Sequence, residues 1–87
     1  MAILARMTIP GMDAATYDQV SAQLTAVIKA APGFITHVAY PSPGGFSVGE
    51  IWASRGDYES FFNENVKPNV PVEIQQEVIE LHAVIQP

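Results

Sequence analysis

His37, Glu50 and Trp52 are the side chains in this sequence whose types and spacing best suit shared chemistry. An imidazole changes charge near neutral pH and works as a general base when a carboxylate orients its second nitrogen. His37 sits among Ile35, Val38 and Ala39, and Glu50 and Trp52 lie in a second β-prone run further along. Whether they meet depends on the turn between the runs, Pro41-Ser42-Pro43-Gly44-Gly45. A type II turn centred on Pro43-Gly44 sets Ser42 opposite Gly45, His37 opposite Glu50 and Ile35 opposite Trp52. A primed turn centred on Gly44-Gly45 instead sets Pro43 opposite Phe46 and His37 opposite Trp52, leaving Glu50 two positions away. Both registers keep the three as neighbours. The competing reading is a half-buried histidine hydrogen-bonded only for structure.

Aromatic side chains supply the expected surroundings. Trp52, Tyr17, Tyr58, Phe61 and Phe62 are candidates to line a substrate-binding cavity between helices and sheet, since ligand pockets are mostly apolar with few polar groups. Tyr17 and Trp52 each bring a polar atom that wants a partner, whereas the Phe61–Phe62 spacing equally suits ordinary core. Glu80 and His82 fall on one side of the last predicted strand, a spacing two metal ligands can use. With no cysteine and only two histidines in the chain, the expectation is no metal, and a polar contact to Arg6 at a subunit interface instead. No phosphate-cradling loop and no Ser-His-Asp pattern occurs, and no cofactor is implied.

Elements that position these residues follow from periodicity. Residues 2–9 read as a strand ended by Pro10-Gly11. Asp13 suits a helix N-cap, and Tyr17, Val20, Leu24, Val27, Ile28 and Ala31 recur at three- and four-residue steps until Pro32-Gly33 stops the helix. Residues 34–40 and 46–53 read as a hairpin. Ser54, with Asp57 three residues on, caps a second helix whose stripe is Tyr58, Phe61, Phe62 and Val66, closed by Pro68. One short helical turn is expected within 69–76, then a final strand over 77–85. The order is βαββαβ, an α+β ferredoxin-like fold with a four-stranded antiparallel sheet, and residues 1–87 form a single domain.

At 87 residues, 48% hydrophobic and 15% charged, the chain carries more apolar side chains than one small core absorbs. Right-handed crossovers put both helices on one sheet face, yet alternation leaves apolar residues on both faces of the last strand, with Ile79, Leu81, Ala83 and Ile85 against Val78 and Val84. A second copy of the sheet is the simplest cover, so a homodimer is expected. The net charge of −5 and four scattered basic residues leave no patch for phosphates, so nucleic acid and anionic membranes are not expected partners. The absence of cysteine, of a signal-like start and of a membrane-length apolar run fits a soluble cytoplasmic protein.

In this order and spacing, Pro10-Gly11-Met12, Tyr17-Asp18, Pro32-Gly33-Phe34 through His37-Val38-Ala39, Gly44-Gly45-Phe46, and Glu50-Ile51-Trp52-Ala53-Ser54 leading to Phe61-Phe62 resemble the dimeric α/β-barrel proteins related to the antibiotic-biosynthesis monooxygenases, especially their short bacterial members. The resemblance covers nearly the whole chain. It implies a barrel built from two four-stranded sheets, one per subunit, and a cofactor-independent monooxygenase or isomerase acting on a small aromatic or polyketide-like compound. In that reading His37 takes a substrate proton, Glu50 orients it, and Trp52 and Tyr17 hold the resulting anion. The haem-degrading branch is similar in fold but carries an asparagine on the first strand and an iron-ligating histidine on a helix, which this sequence lacks. The alternative is a non-catalytic carrier or sensor of an apolar small molecule, or a structural dimer with a filled core.

Overall fold

The computed structural model describes residues 1–87. Strand β1 (Ile3–Pro10) alternates strictly, with Ile3, Ala5, Met7 and Ile9 buried against the helices and Arg6 exposed on the other side. Helix α1 (Ala14–Ala30) is capped by the Asp13 carboxylate, which accepts the Thr16 N–H at 2.8 Å, and those bonds hold the Asp13 carboxyl below its ordinary value. Strands β2 (Phe34–Ser42) and β3 (Gly45–Trp52) form the hairpin, followed by α2 (Arg55–Phe61), a wider π-helical turn (Phe62–Val66) and β4 (Gln75–Glu80). The sheet is antiparallel in the order β2-β3-β1-β4, with both helices on one face. This is the α+β ferredoxin-like arrangement expected from the sequence.

Gly44 settles the hairpin register. Its φ of +77° suits the third position of a type II turn after Pro43, and Ser42 faces Gly45. His37 therefore lies opposite Glu50. Ile35 does not face Trp52, because a bulge between Phe34 and Thr36 places Phe34 opposite Trp52 instead. The extra residue switches Phe34 to the helix side, where its ring meets Trp52 edge-on at 5.5 Å between centroids.

The last strand starts earlier and stops sooner than the expected 77–85. Its pairing with β1 runs from Gln75 opposite Thr8 to Glu80 opposite Ile3, and the Leu81 N–H to Ala2 carbonyl bond at 2.9 Å is the final rung. His82 lies outside the strand and does not share a strand face with Glu80. Arg6 pairs with Glu77, its register partner, at 3.3 Å. No separate helical turn forms within 69–76. The helical continuation comes before it, where Lys67 N–H bonds the Phe62 carbonyl at 2.9 Å, and Pro68, lacking an N–H, ends the helix.

The core joins β1, β3 and α2 around Trp52 and Tyr58, whereas α1 contributes only Ile28 as a fully buried residue. Tyr17, Val20 and Leu24 stop at half-buried and Val27, expected in the same stripe, is exposed, which marks space beneath that helix. No helix is long and apolar enough to cross a membrane.

Candidate functional site

Hydrogen bonds link four side chains in series. Glu50, on the helix-facing side of β3, has a side chain only 4% exposed, and both carboxylate oxygens are used: Oε1 accepts from Trp52 Nε1 at 3.0 Å and Oε2 meets His37 Nδ1 at 2.7 Å. The second imidazole nitrogen, Nε2, lies 2.7 Å from the Tyr17 hydroxyl. Strand pairing brings His37 and Glu50 face to face, and the first turns of α1 lay Tyr17 over them. The Tyr17 ring stacks on Phe46 at 5.1 Å and lies near-parallel to His37 at 6.1 Å. No buried side-chain polar atom is left without a partner, so burial of the carboxylate is compensated by two donors.

A cavity of about 380 Å³ lies between α1 and the sheet. Tyr17, His37 and Glu50 border it, and most of the remaining wall is apolar, including Met7 and Val48 from the sheet and Leu24 and Ile28 from α1. With Glu50 as a carboxylate, which can only accept, His37 Nδ1 is the donor between them, and in the tautomer with Nε2 bare that nitrogen accepts the Tyr17 O–H. The arrangement is a hydrogen-bonded chain, Tyr17 to His37 to Glu50, along which a proton can be passed and whose outer end is a phenol at an apolar wall.

Among the expected pocket residues, Phe61 borders the cavity as well. Trp52 does not: it is fully buried behind Glu50, packed on Phe61 at 5.3 Å and holding the carboxylate from the rear. Tyr58 and Phe62 face a second, more polar groove on the far side of the helical segment. Burial, reinforced by the Glu50 and Glu59 charges, pushes the Tyr58 phenol well above its ordinary value, and its hydroxyl is donated to Gln76. No group of three His, Cys, Asp or Glu side chains converges that can hold a metal ion. Lys29 and Ser21 of α1 also border the cavity; the sequence signal for them is the polar interruption of the helix's apolar stripe.

Fold and site together define a class, a ferredoxin-like α+β domain with a buried carboxylate hydrogen-bonded through a half-buried imidazole to a phenol on an apolar cavity. No protein-family model and no curated protein matches the sequence. Solved structures do match in shape. SnoaB, a cofactor-independent oxygenase from Streptomyces nogalater, superposes with a TM-score of 0.68 at 10% identity over 99% of this chain and 97% of its own. A monooxygenase from the ActVA-Orf6 gene of Streptomyces coelicolor, solved with nanaomycin D, gives 0.66 at 17% identity over 99% and 92%. MhuD, solved with two manganese protoporphyrin IX molecules per active site, gives 0.68 at 13% identity over the whole of both chains. The chain thus has the fold of the antibiotic-biosynthesis-monooxygenase type that its sequence resembles.

Proposed function

We propose that this chain is a small-molecule-binding protein that works as a cofactor-independent monooxygenase on a small aromatic or polyketide-like compound carrying a weakly acidic hydroxyl. The observation that carries the reading is the opening of the Tyr17–His37–Glu50 relay onto the apolar cavity. Because Tyr17 directs its proton at His37, its oxygen lone pairs are left for a ligand. A substrate hydroxyl bound there passes its proton to the Tyr17 oxygen as Tyr17 passes its own to Nε2. The products are a substrate anion, held by the Tyr17 O–H, and an imidazolium paired with Glu50. Apolar walls deny that anion water and keep it reactive. An electron-rich anion of this kind can react with dioxygen unaided by metal or flavin, and SnoaB, similar in fold, is described as a cofactor-independent oxygenase.

His37 thereby acts on the substrate through Tyr17. The test is oxygen uptake with a polycyclic phenol such as a hydroxyanthrone. Tyr17→Phe and His37→Ala are expected to lower kcat by about 10²–10⁴, with the phenol's Kd changed far less. Wild-type turnover in either variant removes the relay from the mechanism. A carrier is the second reading, favoured by the internal satisfaction of every buried polar atom; it requires tight binding with the phenol recovered unchanged.

The working unit in this proposal is a homodimer. The sheet face away from the helices exposes Val38 at 56% and Ile79 at 37%, beside half-buried Leu4 and Ile51. Val84 and Ile85 in the tail beyond β4 are exposed too. A second sheet laid on this face, giving a dimeric α/β barrel, covers both.

A further inference from the structure

The cavity has two chemically different ends, and we propose that it takes an elongated amphiphile, with its weakly acidic hydroxyl at Tyr17 and an anionic group, a carboxylate, at Lys29. This inference rests on the ligand-site reading above and adds to it the ligand's length and second polar group.

Length follows from the helix that roofs the cavity. Tyr17, Val20, Leu24 and Ile28 follow one face of α1, and Lys29 borders the cavity from the flank of its last turn. From Tyr17 to Lys29 the helix rises roughly 18 Å. The floor agrees: the lining runs from Ile9, level with Phe46 of β3, to Phe34, level with Trp52, a distance of roughly 20 Å along the strand. A volume of about 380 Å³ spread along roughly 18 Å leaves a mean cross-section of roughly 20 Å². That is about one extended hydrocarbon chain, or one ring seen edge-on.

Charge identifies the far end. The chain has a net charge of −5 and only four basic residues. Arg6 is paired with Glu77 and Arg55 with Glu59, and Lys67 borders the far groove alongside Glu59 and Glu73. Lys29 is the one cation on the cavity wall, and no carboxylate lies within ion-pair distance of it. Its place in the last turn of α1 suits the helix dipole, but the dipole does not account for its standing unpaired at the cavity. Glu50 repels an anion from the relay end, so the two ends impose one orientation.

The test compares para-octylphenol with ω-(para-hydroxyphenyl)octanoate by titration calorimetry at low salt, on wild type, Lys29→Gln and Lys67→Gln. The carboxylated probe is expected to bind wild type about two- to fivefold more tightly, the scale of an exposed ion pair, and the gap shrinks as salt rises. Lys29→Gln abolishes the gap without changing para-octylphenol affinity, and Lys67→Gln preserves it. Para-hydroxyphenylpropionate, too short to span the cavity, shows no dependence on Lys29. Equal wild-type affinities, or a gap that survives Lys29→Gln, overturn the inference while the ligand-site reading stands. Failure of para-octylphenol to bind overturns both.

Discussion

Replacing Glu50 tests the relay through its energetics and its proton positions at once. The side chain is 4% exposed and accepts two hydrogen bonds, from His37 Nδ1 at 2.7 Å and Trp52 Nε1 at 3.0 Å. Glu50→Gln keeps the shape and can keep the Trp52 bond through its carbonyl, but it sets an amide N–H against Nδ1. A flipped amide is no escape, because its N–H would then face the Trp52 N–H. The imidazole therefore moves its proton to Nε2, which donates to the Tyr17 oxygen in place of accepting from it. Exchanging a charge-assisted bond for a neutral one costs about 1–2 kcal/mol of stability. Glu50→Ala strands two buried donors and leaves a void, for about 3–5 kcal/mol. That is a large share of the total stability of a small domain. Urea denaturation followed by Trp52 fluorescence reads these values as midpoint shifts at constant m. Nitrogen chemical shifts of the His37 ring report the tautomer. Equal destabilisation by Gln and Ala, or an unchanged tautomer in Glu50→Gln, refutes the relay geometry.

Two further outcomes follow from other parts of the molecule. The Tyr58 phenol is held above its ordinary value of 10.0, chiefly by burial, so folding favours its protonated form; the stability this confers is fully present below pH 10.0 and is lost as pH rises further. Tyr58→Phe is expected to flatten the alkaline limb of stability against pH in urea titrations, and an identical limb in the variant rejects the assignment. For assembly, light scattering on wild type is expected to give twice the mass of the 9.4 kDa chain, and Val38→Lys or Ile79→Lys to give the monomer; a monomeric wild type at micromolar concentration rejects the homodimer.

Most of the fold was legible because its signals are local. Pro10-Gly11, Pro32-Gly33 and Pro43-Gly44 punctuate the chain, Asp13 and Ser54 cap the two helices as their types suggest, and the apolar steps of α1 are helical. The errors lie where distant chain decides. Nothing within residues 77–85 says that pairing with β1 ends at Leu81, so the run of strand formers reads as strand through to Ile85. The bulge at Ile35 is likewise invisible locally. It arises where the strand must turn Phe34 inward onto Trp52 while keeping His37 opposite Glu50.

The site divides along the same line. The neighbourhood of His37, Glu50 and Trp52 was legible because hairpin register propagates from one turn, and a single glycine with positive φ decided between two registers. Tyr17 was expected on the cavity and borders it, but its bond to His37 was not legible, since that depends on how α1 rotates and how far it stands off the sheet. That distance changes the chemistry. A helix packed down on the sheet would fill the cavity with its own stripe and leave His37 as one more satisfied core residue. Held off, with only Ile28 fully buried, α1 instead drops the Tyr17 hydroxyl onto Nε2 and roofs the space beside it. Both imidazole nitrogens are then occupied, so His37 borders the cavity with no nitrogen free for a ligand. In the proposed mechanism the role of first base therefore passes to Tyr17, and the Glu50–His37 pair behind it is what makes that phenol able to take a proton.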